Sequence, residues 1–71
     1  GQEVQSEFAE KRIQAAIHAL PKHFKTVIIL RDIQELSYDD ISSIVNVPLG
    51  TVKSRINRAR LQLQVDLKDL R

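Results

Sequence analysis

The sequence predicts an all-α domain of four helices with a helix-turn-helix in its C-terminal half. Three observations carry this. Apolar residues recur mostly at steps of three and four from Phe8 onward, and no stretch alternates with the period of two that a strand needs. Pro21 and Pro48 interrupt that pattern where helices would have to end or begin. Residues 36–60 read as a short capped amphipathic segment, a Pro-containing turn and a second, basic amphipathic segment.

Residues 1–5 show no strong pattern and are expected to be a flexible N-terminal remnant or linker, with the domain occupying 6–71. The first helix is expected over about 6–19. Its stripe is Phe8, Ala9, Ile13, Ala16, Ile17 and Leu20, without Gly or Pro. The second is expected over 21–33. Pro21 suits a first turn, where its missing N–H has no helical partner to lose, and Phe24, Val27, Ile28, Leu30 and Ile33 form the stripe.

The third helix is expected over 38–46. Ser37 can cap it, and Asp40 stands three residues on at the spacing of a capping box. Asp39 and Asp40 also suit the positive end of the helix dipole. Its expected buried stripe is Ile41, Ile44 and Val45, and it should stop near Asn46 because Val47 precedes a proline. The fourth helix is expected over 49–69, since Leu49, Val52, Ile56, Ala59, Leu63, Leu67 and Leu70 step by 3, 4, 3, 4, 4 and 3.

Seventy-one residues leave room for one small core. Aromatic residues make up only 4%, so that core must be aliphatic. There is no Cys, which removes disulfides and thiolate metal sites and suits a cytoplasmic location. No apolar run reaches the roughly 18 residues that would span a membrane. The net charge of +2 hides a separation. From Asp32 to Asp40 there are four acids and no base; between Asp40 and Asp66 there are Lys53, Arg55, Arg58 and Arg60 and no acid. Such a patch attracts phosphate.

At about 100° per residue, Ser54, Asn57 and Leu61 fall opposite the buried stripe of the fourth helix. Thr51 and Arg58 lie to one side of that outer face, Lys53 to the other, Arg55 on the flank away from Lys53, and Arg60 nearer the core boundary. A helix with this surface fits the DNA major groove, where Arg and Lys donate to guanine and Asn pairs with adenine. Thr51 can join the free N–H groups of the helix start in holding a phosphate. Leu61, outward and apolar, marks an expected change from DNA contact to protein contact.

Catalysis is not expected. His18 and His23 lie on different helices, Asp39 and Asp40 point in different directions, and Gly1 and Gly50 form no phosphate loop. No catalytic residue, metal ligand or cofactor is assigned.

The runs Ala19-Leu20-Pro21, Val27-Ile28-Ile29-Leu30-Arg31-Asp32, Leu36-Ser37-Tyr38-Asp39-Asp40-Ile41, Val47-Pro48-Leu49-Gly50-Thr51-Val52-Lys53-Ser54-Arg55-Ile56 and Arg58-Ala59-Arg60 resemble region 4 of bacterial sigma-70 family factors, most of all the extracytoplasmic-function class. The resemblance covers roughly residues 12–70. It implies a domain that binds the promoter minus-35 element through its helix-turn-helix, docks on the β flap of RNA polymerase core, and in many members is masked by an anti-sigma factor. Carried over by motif, Lys53, Ser54, Asn57 and Arg58 would approach base edges. Thr51, Arg55 and the helix start at Ser37 and Tyr38 would hold phosphates, and Arg60 joins them as a phosphate contact. Region 2, which in the family binds the minus-10 element and the polymerase clamp, has no counterpart here. The chain is therefore expected to be one domain of a longer factor, monomeric, away from membranes and unable to start transcription alone.

Two other readings keep part of this picture. A dimeric response-regulator or quorum-type helix-turn-helix regulator would use Leu61, Leu63, Val65, Leu67 and Leu70 as a dimer surface. A module held mainly by an anti-sigma protein would use the acidic segment and the same apolar tail.

Overall fold

A computed structural model describes the backbone of residues 2–70 and the side chains of 7–70. The elements are α1 (Gln2–Ala19), α2 (Lys22–Ile28), a π-helical turn (Ile29–Ile33), α3 (Tyr38–Val45), α4 (Leu49–Asp66) and a 3-10 turn (Lys68–Leu70). There is no strand among the described residues. The four-helix, all-α expectation holds. The helical backbone begins at Gln2, ahead of the expected residue 6; Gly1 and the side chains of 2–6, on which the expected linker falls, lie outside the described residues.

Pro21 sits at the start of α2 with φ −53° and ψ 148°. Its carbonyl accepts from the N–H groups of Phe24 and Lys25, which opens the helix without a side-chain cap. The expected second helix is not α-helical to its end. At Ile29 the hydrogen bonding widens, and the Gln34 N–H reaches the Ile29 carbonyl at 3.0 Å, five residues back. Glu35 then turns left-handed at φ 59°, and Leu36 N–H bonds the Leu30 carbonyl at 3.0 Å. This termination returns Leu36 to the core edge.

Leu20, Val27, Ile28, Ile41, Val52, Ile56 and Ala59 form the buried core, all aliphatic as expected. Fully burying each Val or Ile contributes roughly 1.5–3 kcal/mol. Helix α4 packs chiefly against α2 and then α3, and Ala59, without bulk, lets α4 come close. Helix α1 joins more lightly, through Ile17 and the following Leu20. The molecule is long, 44 × 20 × 17 Å, because α1 runs past the body.

That shape corrects several expected core positions. Phe8 and Ile13 are exposed, because of the expected α1 stripe only Ile17 and the following Leu20 reach the core. Ile33 is 60% exposed, since the π turn rotates it off the face it would hold in a continuous α-helix. Ile44 is 58% exposed: α3 is only two turns long and buries a single row at Ile41 with Val45 beside it. Leu49 lies at the margin, on the open first turn of α4. Helix α4 ends at Asp66, and its expected last turn closes as the 3-10 turn, with Leu70 N–H on the Leu67 carbonyl at 3.0 Å.

Candidate nucleic-acid interface

Ser37 caps α3 as its position implies: the Asp40 N–H donates to Ser37 Oγ at 3.1 Å. Asp39 and Asp40 occupy the first turn. The helix ends at Asn46, left-handed at φ 57° and ψ 49°, a conformation that Asn tolerates better than most residues. The Val47 N–H returns to the Ser42 carbonyl at 3.3 Å, and Ser42 Oγ donates to the Val47 carbonyl. These two bonds lock the turn, and Pro48 sets φ −59° at the start of α4. Residues 46–48 thereby fix the angle between the two helices.

No side chain caps α4. Thr51 and Val52 N–H groups bond the Pro48 carbonyl at 2.9 and 3.1 Å, leaving the earliest N–H groups of the helix facing outward. Gly50 stands here. A Cβ on it would meet nothing within 4 Å, and its φ is not positive, so neither crowding nor backbone strain within the chain demands glycine. Its lack of a side chain leaves room for an outside group to reach the backbone.

Of the expected base-contacting residues, Lys53, Ser54, Asn57 and Arg58 are all exposed on α4. They share one face, opposite Val52, Ile56 and Ala59. Ser54 Oγ meanwhile donates to the Thr51 carbonyl at 3.3 Å. Thr51 and Arg55 are half-buried on the flank. Lys53, Arg55 and Arg58 make no ion pair among the described residues, so their charge faces solvent. Leu61 and Val65 continue the same face, 62% and 61% exposed.

Ser37 and Tyr38 lie at the start of α3 instead, Ser37 as its cap. Tyr38 is held by Arg31, whose guanidinium carbon sits 4.7 Å from the ring centroid and whose Nη1 donates to the Leu36 carbonyl at 2.9 Å. Arg60 differs from the other expected contacts. Its Nη2 meets Asp32 Oδ1 at 2.7 Å and its Nε meets Oδ2 at 3.4 Å. The hydrogen bond to Asp32 is the main cause that raises the Arg60 pKa further, against a lowering by partial burial, with Tyr38 adding to the rise. Asp32 and Arg31, both on the π turn, were not among the expected site residues. Their partners stand 28 and 7 positions away in sequence, a separation that helical spacing does not reveal.

Among the described residues no group of His, Asp and Glu is arranged to hold a metal ion, and no helix is long and apolar enough to cross a membrane.

The chain is similar to the ECF RNA polymerase sigma factor SigW of Bacillus subtilis, with 50% identity over 58 residues, 82% of this chain and 31% of that protein. It is 43% identical over 68 residues to the ECF RNA polymerase sigma-E factor of Haemophilus influenzae, covering 96% of this chain and 36% of the relative. To the ECF RNA polymerase sigma factor SigE of Mycolicibacterium smegmatis it is 48% identical over 52 residues, 73% of this chain and 20% of the relative. The chain thus spans about a third or less of the length of these relatives. The family described as Sigma-70, region 4 matches residues 10–63, a span that takes in the cap, the turn and the basic helix, and the chain belongs to that family.

Proposed function

We propose that this chain is the promoter-reading domain of an extracytoplasmic-function sigma factor, binding the minus-35 element with α4 in the major groove. The observation that carries this is the face of α4: Lys53, Ser54, Asn57 and Arg58 exposed together, with no acid between Asp40 and Asp66. Base edges are read by these four, Arg58 and Lys53 on guanine and Asn57 on adenine. Ser37, Tyr38, Thr51 and Arg55 take phosphates, and the uncapped start of α4 at Gly50 adds backbone N–H groups. The module performs no chemistry and acts by placement.

Its protein partner in this reading is RNA polymerase core, through the β flap. A groove between α1 and the π turn, lined by Ile13, Ile17, Ile29 and Ile33 together with Glu10, Gln14 and His18, supports that role. An anti-sigma protein would compete for exposed surface of the same kind. The dimeric regulator reading has less support, because the exposed tail residues Leu61 and Val65 are a single pair rather than a continuous face.

The experiment is an NMR titration of the labelled chain with a minus-35 duplex and a scrambled control. Shifts at Ser37–Tyr38 and Thr51–Arg58 that are stronger with the promoter duplex are expected. Equal shifts with both duplexes would reduce the reading to a basic helix, and no shifts would turn attention to the protein partner.

A further inference from the structure

Lys53, Asn57 and Arg60 form one row along α4, at steps of four and three. The first two are exposed and unpaired among the described residues, whereas Arg60 is gripped by Asp32 through two hydrogen bonds. Both side chains of this pair stay about two-fifths exposed, so desolvation does not force the pairing. The pair instead ends the row's free charge one turn beyond Asn57. We propose that Asp32 is a specificity-determining residue: by holding Arg60 it withdraws one cation from the phosphate-attracting surface, lowering sequence-independent binding while leaving the base-reading residues untouched.

The physical ground is the division of labour on DNA. Each cation placed on a phosphate adds affinity for any sequence, with a cost that grows with salt. Base-edge contacts alone separate one sequence from another. A carboxylate that neutralises a flanking cation therefore raises the ratio of specific to non-specific affinity. Asp32 is suited to this, since its neighbour Arg31 is engaged with Tyr38 and the Leu36 carbonyl and does not compete for it.

The inference rests on the promoter-binding reading above. Its test measures affinities of the chain for minus-35 and scrambled duplexes across a salt series, for the unsubstituted chain, Asp32→Asn, Asp32→Glu and the double variant Asp32→Asn with Arg60→Ala. Freed in Asp32→Asn, Arg60 should raise affinity for the scrambled duplex roughly fivefold near 0.1 M salt and steepen the log–log salt slope by about one. The promoter-to-scrambled ratio should fall. Asp32→Glu should restore the original slope, and the double variant should lose the extra one. The pair is exposed and its loss costs little stability, and circular dichroism confirms that each variant is folded. An Asp32→Asn slope and ratio equal to the original, or weaker binding at unchanged slope, would overturn the proposal and leave the pair a strut between α4 and the π turn. No DNA binding by the unsubstituted chain would overturn the promoter-binding reading itself, and this proposal with it.

Discussion

Two residues close helices in the left-handed region, and they differ in how well they suit it. Asn46 can adopt αL at small cost, whereas Glu35 at φ 59° cannot. Glu35→Gly should therefore raise unfolding free energy by about 0.5–1 kcal/mol, read by urea titration; an unchanged or lower midpoint would show that the Glu side chain contributes something the backbone does not reveal. Gly50 presents the opposite case. Its helical backbone and open surroundings mean that Gly50→Ala should stabilise α4 by up to about 1 kcal/mol. Yet the added methyl stands where a phosphate would approach, so DNA affinity should fall in the same variant. Equal or tighter binding would show that nothing comes close to that backbone. Arg58, exposed and unpaired among the described residues, is expected to lose about 1–3 kcal/mol of promoter binding on change to Ala, and an equal loss on scrambled DNA would reassign it to a phosphate. The exposed face of α4 was legible from the sequence because 100° steps sort one helix unaided. That Arg60 could pair with an acid of residues 32–40 was legible too, but not that Asp32 is the one, because it reaches Arg60 from another element.

At the scale of elements, an ion pair ties α1 to the 3-10 turn. Arg12 on α1 donates to Asp69 on the 3-10 turn at 2.7 and 3.0 Å, and reaches the Asp66 carbonyl at 3.4 Å. The hydrogen bond from Arg12, and then its charge, hold the Asp69 carboxyl below its ordinary pKa. A carboxyl depressed in the folded state binds fewer protons there than when unfolded. Its stabilising effect is therefore complete above the ordinary carboxylate range and is lost as pH falls through the folded value. Thermal melts of the chain and of Arg12→Ala should thus differ by a constant small amount from pH 7 to 5 and converge at lower pH. A difference that vanished already between pH 7 and 5 would exclude Asp69 as the titrating group. Helix positions were readable from Pro21, Ser37 and Pro48, which act on the backbone next to them. The π turn was not, since Ile29–Ile33 offers no breaker and α and π hydrogen bonding there share one apolar pattern.

For the molecule as a whole, the exposed cations of α4 set the response to salt. With Lys53, Arg55 and Arg58 free of ion pairs among the described residues and each displacing a counterion, log affinity should fall against log salt with a slope of about −3; a flat response between low and moderate salt would contradict DNA binding through this face. By itself the sequence determined the number and order of helices, the cap at Ser37, the turn at Asn46–Pro48 and the acid-free face of α4. These are local matters, in which each residue acts within one or two turns of itself. Only the tertiary structure decided which apolar stripes found a partner. It left Phe8, Ile13, Ile33 and Ile44 outside the core and paired Arg60 with Asp32 and Arg12 with Asp69. Burial and ion pairing depend on what arrives from a distant part of the chain, and a periodic pattern states only that a face wants cover, not what covers it.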